Sequence, residues 1–341
     1  MDNYSVCVEY IWLGGSNELR SKTKTMDKVI NTIEDLPNWN FDGSSTNQAV
    51  GNDSEIIIKP RALFTDPFRG GPHKLVLCDT YTPNDTPLTN NNRQWADTLF
   101  KKKLNEEPWF GIEQEYFIIN NNTNLPIGYN DDKTQGQFYC SVGSNNAFGR
   151  GIAEEHLQFC IIAGIKISGI NAEVAPGQWE FQIGPCIGIE EGDHLWMARY
   201  ILLRVSEMYD VTINFNPKPL KGDWNGSGCH TNYSTLRMRN GDTNNNGLYY
   251  IQDAIKKLSY NHIDHMKYYG SGNEERMTGL HETASYNIFS QGIADRGSSI
   301  RIGNENYKNQ KGYFEDRRPS SNCDPYLVTG KIFKTTCLDR F

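Results

Sequence analysis

The sequence predicts an α+β protein, with a small β-rich N-terminal domain followed by a larger domain that mixes helices and strands. Three observations carry this. Residues 4–13 (YSVCVEYIWL), 18–25, 55–64 and 74–81 (KLVLCDTY) show alternation and β-branched content, and Gly- and Asn-rich turns join them, the signature of strands. Helical periodicity begins only after residues 82–92 (TPNDTPLTNNN), a polar, proline-bearing linker. Beyond it, segments that read as strands lie between predicted helices, and several carry acidic residues. The expected domains are residues 1–84 and 91–341.

Within the first domain, Trp39-Asn40-Phe41-Asp42-Gly43-Ser44-Ser45-Thr46 combines aromatic and turn residues and reads as an ordered, exposed loop. The second domain opens with a helix over 93–104. Helical spacing returns at 151–164, at 190–209, where Leu195, Ala198, Ile201, Leu202 and Val205 share a face, and at 248–268. His262 and His265 stand three apart on that last helix and are expected on a solvated face. The triplets Asn90–92, Asn120–122 and Asn244–246 read as loop tips.

At 341 residues the chain has room for about two domains. A hydrophobic content of 37% is ample for packed cores, and a net charge of −7 argues against nucleic acid or an anionic membrane as the main partner. Eight cysteines without CxxC pairs fit reduced, buried thiols better than a disulfide framework. The most apolar stretch, 159–170, is too short to span a bilayer and contains Lys166. A cytoplasmic protein is expected.

The acidic residues are the most informative. Glu113 and Glu115 in GIEQEYF sit two apart on one strand face, with Ile112, Tyr116 and Ile118 on the other. In NAEVAPGQWEFQIGP, Pro176-Gly177 occupies the centre of a type II turn. That turn predicts Glu173 directly opposite Glu180, an arrangement that destabilises a sheet unless something compensates it. His230 in GSGCHTN and Glu315 in GYFEDRRP complete a set of six. A solvated strand face is the ordinary reading of one isolated ExE, but neither of these strands contains a Lys or Arg to pair with. Carboxylates with a single imidazole suit Mg²⁺ or Mn²⁺ better than zinc or iron–sulfur. Near the C-terminal end Arg276, Arg296, Arg301 and Arg317 supply guanidinium forks for phosphate or carboxylate. Acidic metal ligands facing arginines suggest an anionic substrate held between them, as in phosphoryl transfer. There is no GxxxxGK[ST] and no GxGxxG, so a nucleotide would be bound by neither a P-loop nor a Rossmann site. His281-Glu282 is not HExxH, because Ser285 stands at the second histidine position.

Over nearly the whole chain these segments resemble glutamine synthetase of the eukaryotic type. The blocks WNFDGSST, PWFGIEQEY, NAEVAPGQWEFQIGPC, GDHLW, WNGSGCHTN, RMTGLHET, SSIRI and GYFEDRRPSSNCDP carry the resemblance. It implies a β-grasp-like N-terminal domain, a catalytic domain with a curved antiparallel sheet, and stacked rings, a decamer, with active sites between subunits. It also implies a ligase that joins ammonium to the γ-carboxylate of L-glutamate with ATP and two or three Mg²⁺ or Mn²⁺ ions. Glu115, Glu173 and Glu180 would hold one metal, and Glu113, His230 and Glu315 another. Arg296 and Arg301 would neutralise phosphates, while Arg276, Arg317, Trp224, Asn225 and Gly226 would hold glutamate. Trp109, Asn232, Tyr233, Ser234 and Tyr313 match nucleotide contacts. Glu282 would close the site and take a proton from ammonium. Asp42, Ser45 and Tyr139 resemble the ammonium pocket, with Asp42 supplied by a neighbouring subunit. Two readings compete: a non-catalytic structural member of the same fold, which has no reason to keep buried carboxylates without a metal, and a related metal-dependent ligase or phosphotransferase acting on another amine or carboxylate, with the acidic closure arguing against a bulky amine. Ile288, Gly14-Gly15 and the short segment after Cys337 depart from the family pattern without touching a proposed ligand.

Overall fold

The structure, a computed structural model, describes residues 5–130 and 134–339. It divides into two compact units. One holds the described residues up to Trp95 together with Gln158–Ile165; the other holds the rest. Relative to the expected division at 84 and 91, the first unit runs on through the linker and takes in the second half of a helix.

In the first unit β1 (Val6–Leu13), β2 (Leu19–Met26), β3 (Trp39–Asp42), β4 (Glu55–Thr65) and β5 (Lys74–Tyr81) form a sheet in the order β2-β1-β5-β4-β3. Only β1 and β5 run parallel. Alternation places Val6, Val8, Tyr10 and Trp12 on one face, where they build a core with Ile30, Leu36, Ile58 and Val76. Glu9, on the other face, is buried but paired with Arg69 at 2.7 Å. The segment expected as an exposed aromatic loop is instead half strand. Trp39–Asp42 pairs with β4, Phe41 stacks on Trp12 at 4.6 Å, and Trp39 packs edge-on against Tyr10. Packing two partly buried aromatic rings against the core outweighs the turn propensity of the residues that follow. Gly43–Thr46 follows as a 3₁₀ turn capped by Asp42, with Ser44 and Ser45 exposed and Gly43 and Thr46 buried.

In the second unit the described strands form a nine-stranded, curled sheet. Its path is β12 (Gln291–Ile293), β13 (Ile300–Ile302), β14 (Phe314–Asp316), β11 (Cys229–Ser234), β6 (Trp109–Asn120), β9 (Gln178–Ile187) and β8 (Ile167–Ala172). β7 (Leu125–Pro126) and β10 (Val211–Asn214) also pair with β6. β6 is therefore the spine. It turns Ile112, Gln114 and Tyr116 backward and Glu113 and Glu115 forward. Behind it lies α3 (Ile189–Tyr209), about 31 Å long at 1.5 Å per residue. Arg199 of α3 donates to the wholly buried Gln114 from Nε at 2.8 Å, and Gln114 in turn donates to Ser321 Oγ at 3.0 Å. The buried guanidinium and amide, which also donate to the carbonyls of Cys323 and Ser321, fix the strand from behind.

The remaining helices are α1 (Asn92–Phe100), α2 (Arg150–Ala163), α4 (Leu236–Asn240), α5 (Gly247–Tyr260), α6 (His262–Met266), α7 (Asn304–Lys308) and α8 (Pro325–Phe333). Side chains cap several of them. Thr235 accepts from Met238 N, Asn246 from Tyr249 N and Asp324 from Tyr326 N, with Pro325 at the first turn of α8. Asn246 is thus a helix cap, not a bare loop tip.

The helix expected over 248–268 breaks at Asn261 into α5 and α6, and the expected solvated face is wrong. His262 and His265 are buried. Arg318, itself fully buried, pairs with Asp316 at 2.7 Å and donates to His262 Nδ1 at 3.2 Å. Tyr269 donates to Asp316 at 2.9 Å, and His265 bridges Tyr269 and Thr335 at 2.7 and 2.8 Å. Burial holds both imidazoles below their ordinary pKa, so they remain neutral links in this network.

Candidate active site

One pocket of the second unit gathers Glu113, Glu115, Glu173, Glu180 and His230 with Arg276, Arg296, Arg301 and Arg317. Sheet register explains the convergence. Glu113 lies across from His230 in the β6–β11 ladder, Glu115 across from Glu180 in β6–β9, and Arg301 across from Glu315 in β13–β14. Every one of these positions is on the same face.

Glu113, His230 and Glu315 place ligand atoms within 4.8 Å of one another. His230 Nδ1 is 3.5 Å from carboxylate oxygens of both Glu113 and Glu315, and its Nε2 lies 4.0 Å from Glu115. Burial, then Arg317, pushes the His230 pKa down to about 4, ahead of the opposing pull of Glu115 and Glu315. The imidazole is therefore neutral, the form that ligates a metal. Asn232 orients Glu113 at 2.8 Å, and Gly228 N and Gln178 Nε2 donate to Glu115 at 2.9 and 3.1 Å. Glu315 accepts from Arg301 at 2.8 Å and from Arg317 at 2.6 Å.

Among the described residues, Glu173 and Glu180 have no such guanidinium partner. Glu173 accepts from Asn171 Nδ2 at 2.9 Å and Val174 N at 3.2 Å, and Glu180 accepts from Gln182. Burial, followed by Glu115, raises the Glu173 pKa to about 8. Burial, then Glu113, Glu115 and Glu173, raises that of Glu180 to about 9. The expected pairing of Glu173 with Glu180 is corrected. Asn171 stands opposite Glu180, while Glu173 N bonds Gln178 O at 2.8 Å. The Pro176-Gly177 turn forms, with Gly177 at φ 65°. However, Gln178 Oε1 accepts from Ala175 N, which widens the loop and shifts the register by two residues. A two-residue shift preserves the face, so Glu173 still enters the pocket.

Charge of both signs is anchored unequally. Arg276 is buried and spends Nε on Asn273 and Nη2 on the carbonyls of Arg317, Arg318 and Pro319. Burial lowers its pKa to about 10, and its arm rests on Gly226, where a Cβ would lie 2.4 Å from Arg276 Cγ. Among the described residues, the buried Arg301 Nε has no hydrogen-bond partner, which leaves a donor matched to an anionic oxygen. Carboxylate oxygens with one neutral imidazole fit a hard divalent cation. Arg296 Nη1 reaches Glu282 at 3.3 Å, and Tyr139 also bonds Arg296.

A second hollow, of about 520 Å³, is mostly apolar and also borders Glu113. Trp109, Ile112, Ile183, Pro185, Asn232, Ser234 and Tyr313 line it, and Arg239 lies 4.0 Å over the Trp109 ring. Tyr233 contributes to its wall but turns its ring inward, with its hydroxyl on Thr336 and Cys337. Trp224 is likewise a core residue, packed with Phe117, Ala175 and Leu220, beside a pocket rim formed by Asn225 and Gly226. Asp42 and Ser45 belong to the first unit, where hydrogen bonds from Ser44 hold the exposed Asp42 carboxyl below its usual pKa. Ile288 is 65% exposed. Asn171, His281 and Thr283 line the acidic pocket though the sequence did not single them out. Asn171 was within reach, since it precedes Glu173 by two on the same strand face.

A β-sheet unit followed by a curled sheet that is antiparallel except for its β12–β13 pair, with carboxylates and arginines converging on one face, defines a metal-dependent enzyme of anionic substrates. Comparison with known proteins makes this specific. The glutamine synthetase beta-Grasp domain matches residues 5–83, and the glutamine synthetase catalytic domain matches residues 91–260. A chloroplastic glutamine synthetase of Brassica napus is 53% identical over 98% of this chain and 78% of its own length. A putative glutamine synthetase of Acanthamoeba polyphaga mimivirus is 54% identical over 97% and 94%, and cytosolic isozyme 1-1 of Oryza sativa subsp. japonica is 51% identical over 98% and 94%. The chain belongs to the glutamine synthetase family. No helix among the described residues is long and apolar enough to cross a membrane.

Proposed function

We propose that the protein joins ammonia to the γ-carboxylate of L-glutamate at the expense of ATP, through γ-glutamyl phosphate, releasing glutamine, ADP and phosphate. The observation that carries this reading is the meeting of the carboxylates of Glu113, Glu115, Glu173 and Glu180 and the neutral imidazole of His230 with four arginines in a single pocket, with Glu315 against its Glu113 and His230. The apolar hollow bordering Glu113 suits a nucleotide base, with Trp109 and Tyr313 beside it and its phosphates toward the acids. Glu113, His230 and Glu315 would hold one Mg²⁺ or Mn²⁺, and Glu115, Glu173 and Glu180 a second. When bound, these ions offset the charge of the phosphates and of the transferring phosphoryl group.

The protein's own groups then divide the work. Arg301 Nε and Arg296 meet phosphoryl oxygens, and Arg317 and the Asn225-Gly226 backbone orient the glutamate. Arg276, its other donors spent, supports that clamp and offers Nη1. Glu282, exposed at the pocket mouth, accepts the proton that leaves ammonium, and its loop keeps water from the acyl phosphate. Asp42, Ser45 and Tyr139 form the ammonium pocket, with Asp42 supplied by a neighbouring copy in a ring assembly located in the cytosol. Light scattering tests the assembly.

The deciding assay measures phosphate release with ATP, Mg²⁺ and glutamate, with and without ammonium, and with hydroxylamine or alkylamines in its place. Ammonium- and hydroxylamine-dependent turnover is expected. Turnover that ignores ammonium, or that prefers a large amine, would overturn the reading.

A further inference from the structure

The loop that carries Glu282 is held in an unfavourable backbone conformation. His281 (φ 51°) and Glu282 (φ 59°) are consecutive non-glycine residues in the left-handed region, where a Cβ crowds the carbonyl that follows. The base of the loop is closed by a bridge between Thr278 and Ser285, and by Thr283 Oγ1 donating to Leu280 O at 2.8 Å and Arg276 O at 3.2 Å. Its tip is held from the pocket side by Arg317 Nη2 on Glu282 O at 3.2 Å. From the other side, His281 Nε2 meets Asp223 Oδ1 at 2.8 Å.

Asp223 belongs to the segment that ends in Asn225-Gly226, and that segment has its own anchor. Gln135 Nε2 donates to Asp223 O at 3.1 Å, and Gln135 Oε1 accepts from Asn225 N at 3.0 Å. The Asp223 carboxylate is 88% exposed. Such a pair adds little to global stability. It joins two loops whose ends, Glu282 and Asn225-Gly226, both line the pocket. Its leverage therefore falls on the local equilibrium of the Glu282 loop.

We infer that His281 is a positioning residue: its pairing with Asp223 latches the strained Glu282 turn over the pocket and so sets how well the site keeps water from the acyl phosphate. This rests on the function proposed above. With the latch open, water attacks the γ-carbonyl carbon in place of ammonia. The bond from that carbon to the phosphate oxygen breaks, and the products are glutamate and phosphate, so ATP is spent without glutamine being made.

The test is the ratio of phosphate released to glutamine formed, measured on the full-length protein at saturating ATP and glutamate and limiting ammonium. Asp223→Ala is expected to raise that ratio about two- to five-fold, the population change a single exposed pair supports, with the melting temperature unchanged. Asp223→Asn keeps an acceptor for the imidazole N–H and restores the wild-type ratio. His281→Asn retains a residue that tolerates left-handed backbone but cannot reach Asp223, so it uncouples to the same degree, and the double variant adds nothing further. Wild-type protein that makes no glutamine would overturn the functional reading. Wild-type protein that does, with Asp223→Ala and His281→Asn coupled as tightly, would overturn the latch alone.

Discussion

The two halves of the acidic pocket solve the same electrostatic problem in opposite ways. Glu315 is compensated from within by Arg301 and Arg317 at 2.8 and 2.6 Å. Among the described residues, the half-buried Glu173 and the buried Glu180 receive only amide and backbone donors, and their pKa values rise to about 8 and 9. Burying an unpaired carboxylate is costly enough that the group takes up a proton instead. The Glu315 half is thus organised by the chain itself, whereas the Glu173–Glu180 half is neutralised by protons from solution, which a cation bound as proposed above would displace.

The largest expected effect comes from the organised half. Arg301→Ala should lower kcat about 10³-fold or more, the scale for a guanidinium at a transferring phosphoryl. The KM for ATP should change much less. A loss under tenfold would mean that the free Nε does not meet the reacting group.

One substitution made on both sides then tests the contrast directly. Without divalent cations at pH 7, Glu315→Gln should destabilise by about 1–3 kcal/mol, because two guanidinium groups lose an ionised acceptor. Glu180→Gln should stabilise, by an amount on the order of a few kcal/mol, because it removes a carboxyl that must be protonated on folding. Thermal melts read the sign, and matching signs would erase the distinction between the halves.

The smallest effect is a proton count. Folded-state pKa values of about 8 and 9, above an ordinary carboxyl, mean that the folded, cation-free chain binds protons that the unfolded chain does not. The stability contribution of these two groups is therefore fully present below the unfolded pKa and falls as pH rises toward 8 and 9. Mg²⁺ reverses this by displacing the protons. Calorimetry at pH 7 in buffers of different ionisation enthalpy should show release of about one to two protons per site, and tighter binding as pH rises. Binding without proton release would place the cation elsewhere.

Much of this was legible in the sequence because strand alternation is a local signal. Glu113 and Glu115 flank Gln114, and placing the acids outward required only the period of two. The arginines Arg301 and Arg317 could be assigned to the acidic face by the same rule. What escaped depended on distant partners. The register of Glu173 is set by Gln178 turning back on Ala175. His262 and His265 look polar on a helical wheel, but Arg318, Tyr269 and Thr335 satisfy them in the interior. Tyr233 and Trp224 sit in motifs that point to a ligand, yet their rings serve the core. His281 was passed over because it fails the spacing of a metal motif, and its contact with Asp223 spans 58 positions of the chain.

The run Glu315-Asp316-Arg317-Arg318 has a consequence for how the sheet finds its alignment. Glu315 and Arg317 face the pocket, while Asp316 and Arg318 form the sealed pair behind it. Each face thus carries one acid and one arginine, two residues apart. A one-residue slip would exchange the faces and leave the charges almost unchanged. Charge pattern alone cannot tell the native alignment from its neighbour. That discrimination falls to shape: Phe314 fills the core, and the shorter Asp316 fits beneath Tyr269. The pocket's most strongly paired ligand is therefore kept in place by an aromatic ring and a hydroxyl that never meet the substrate.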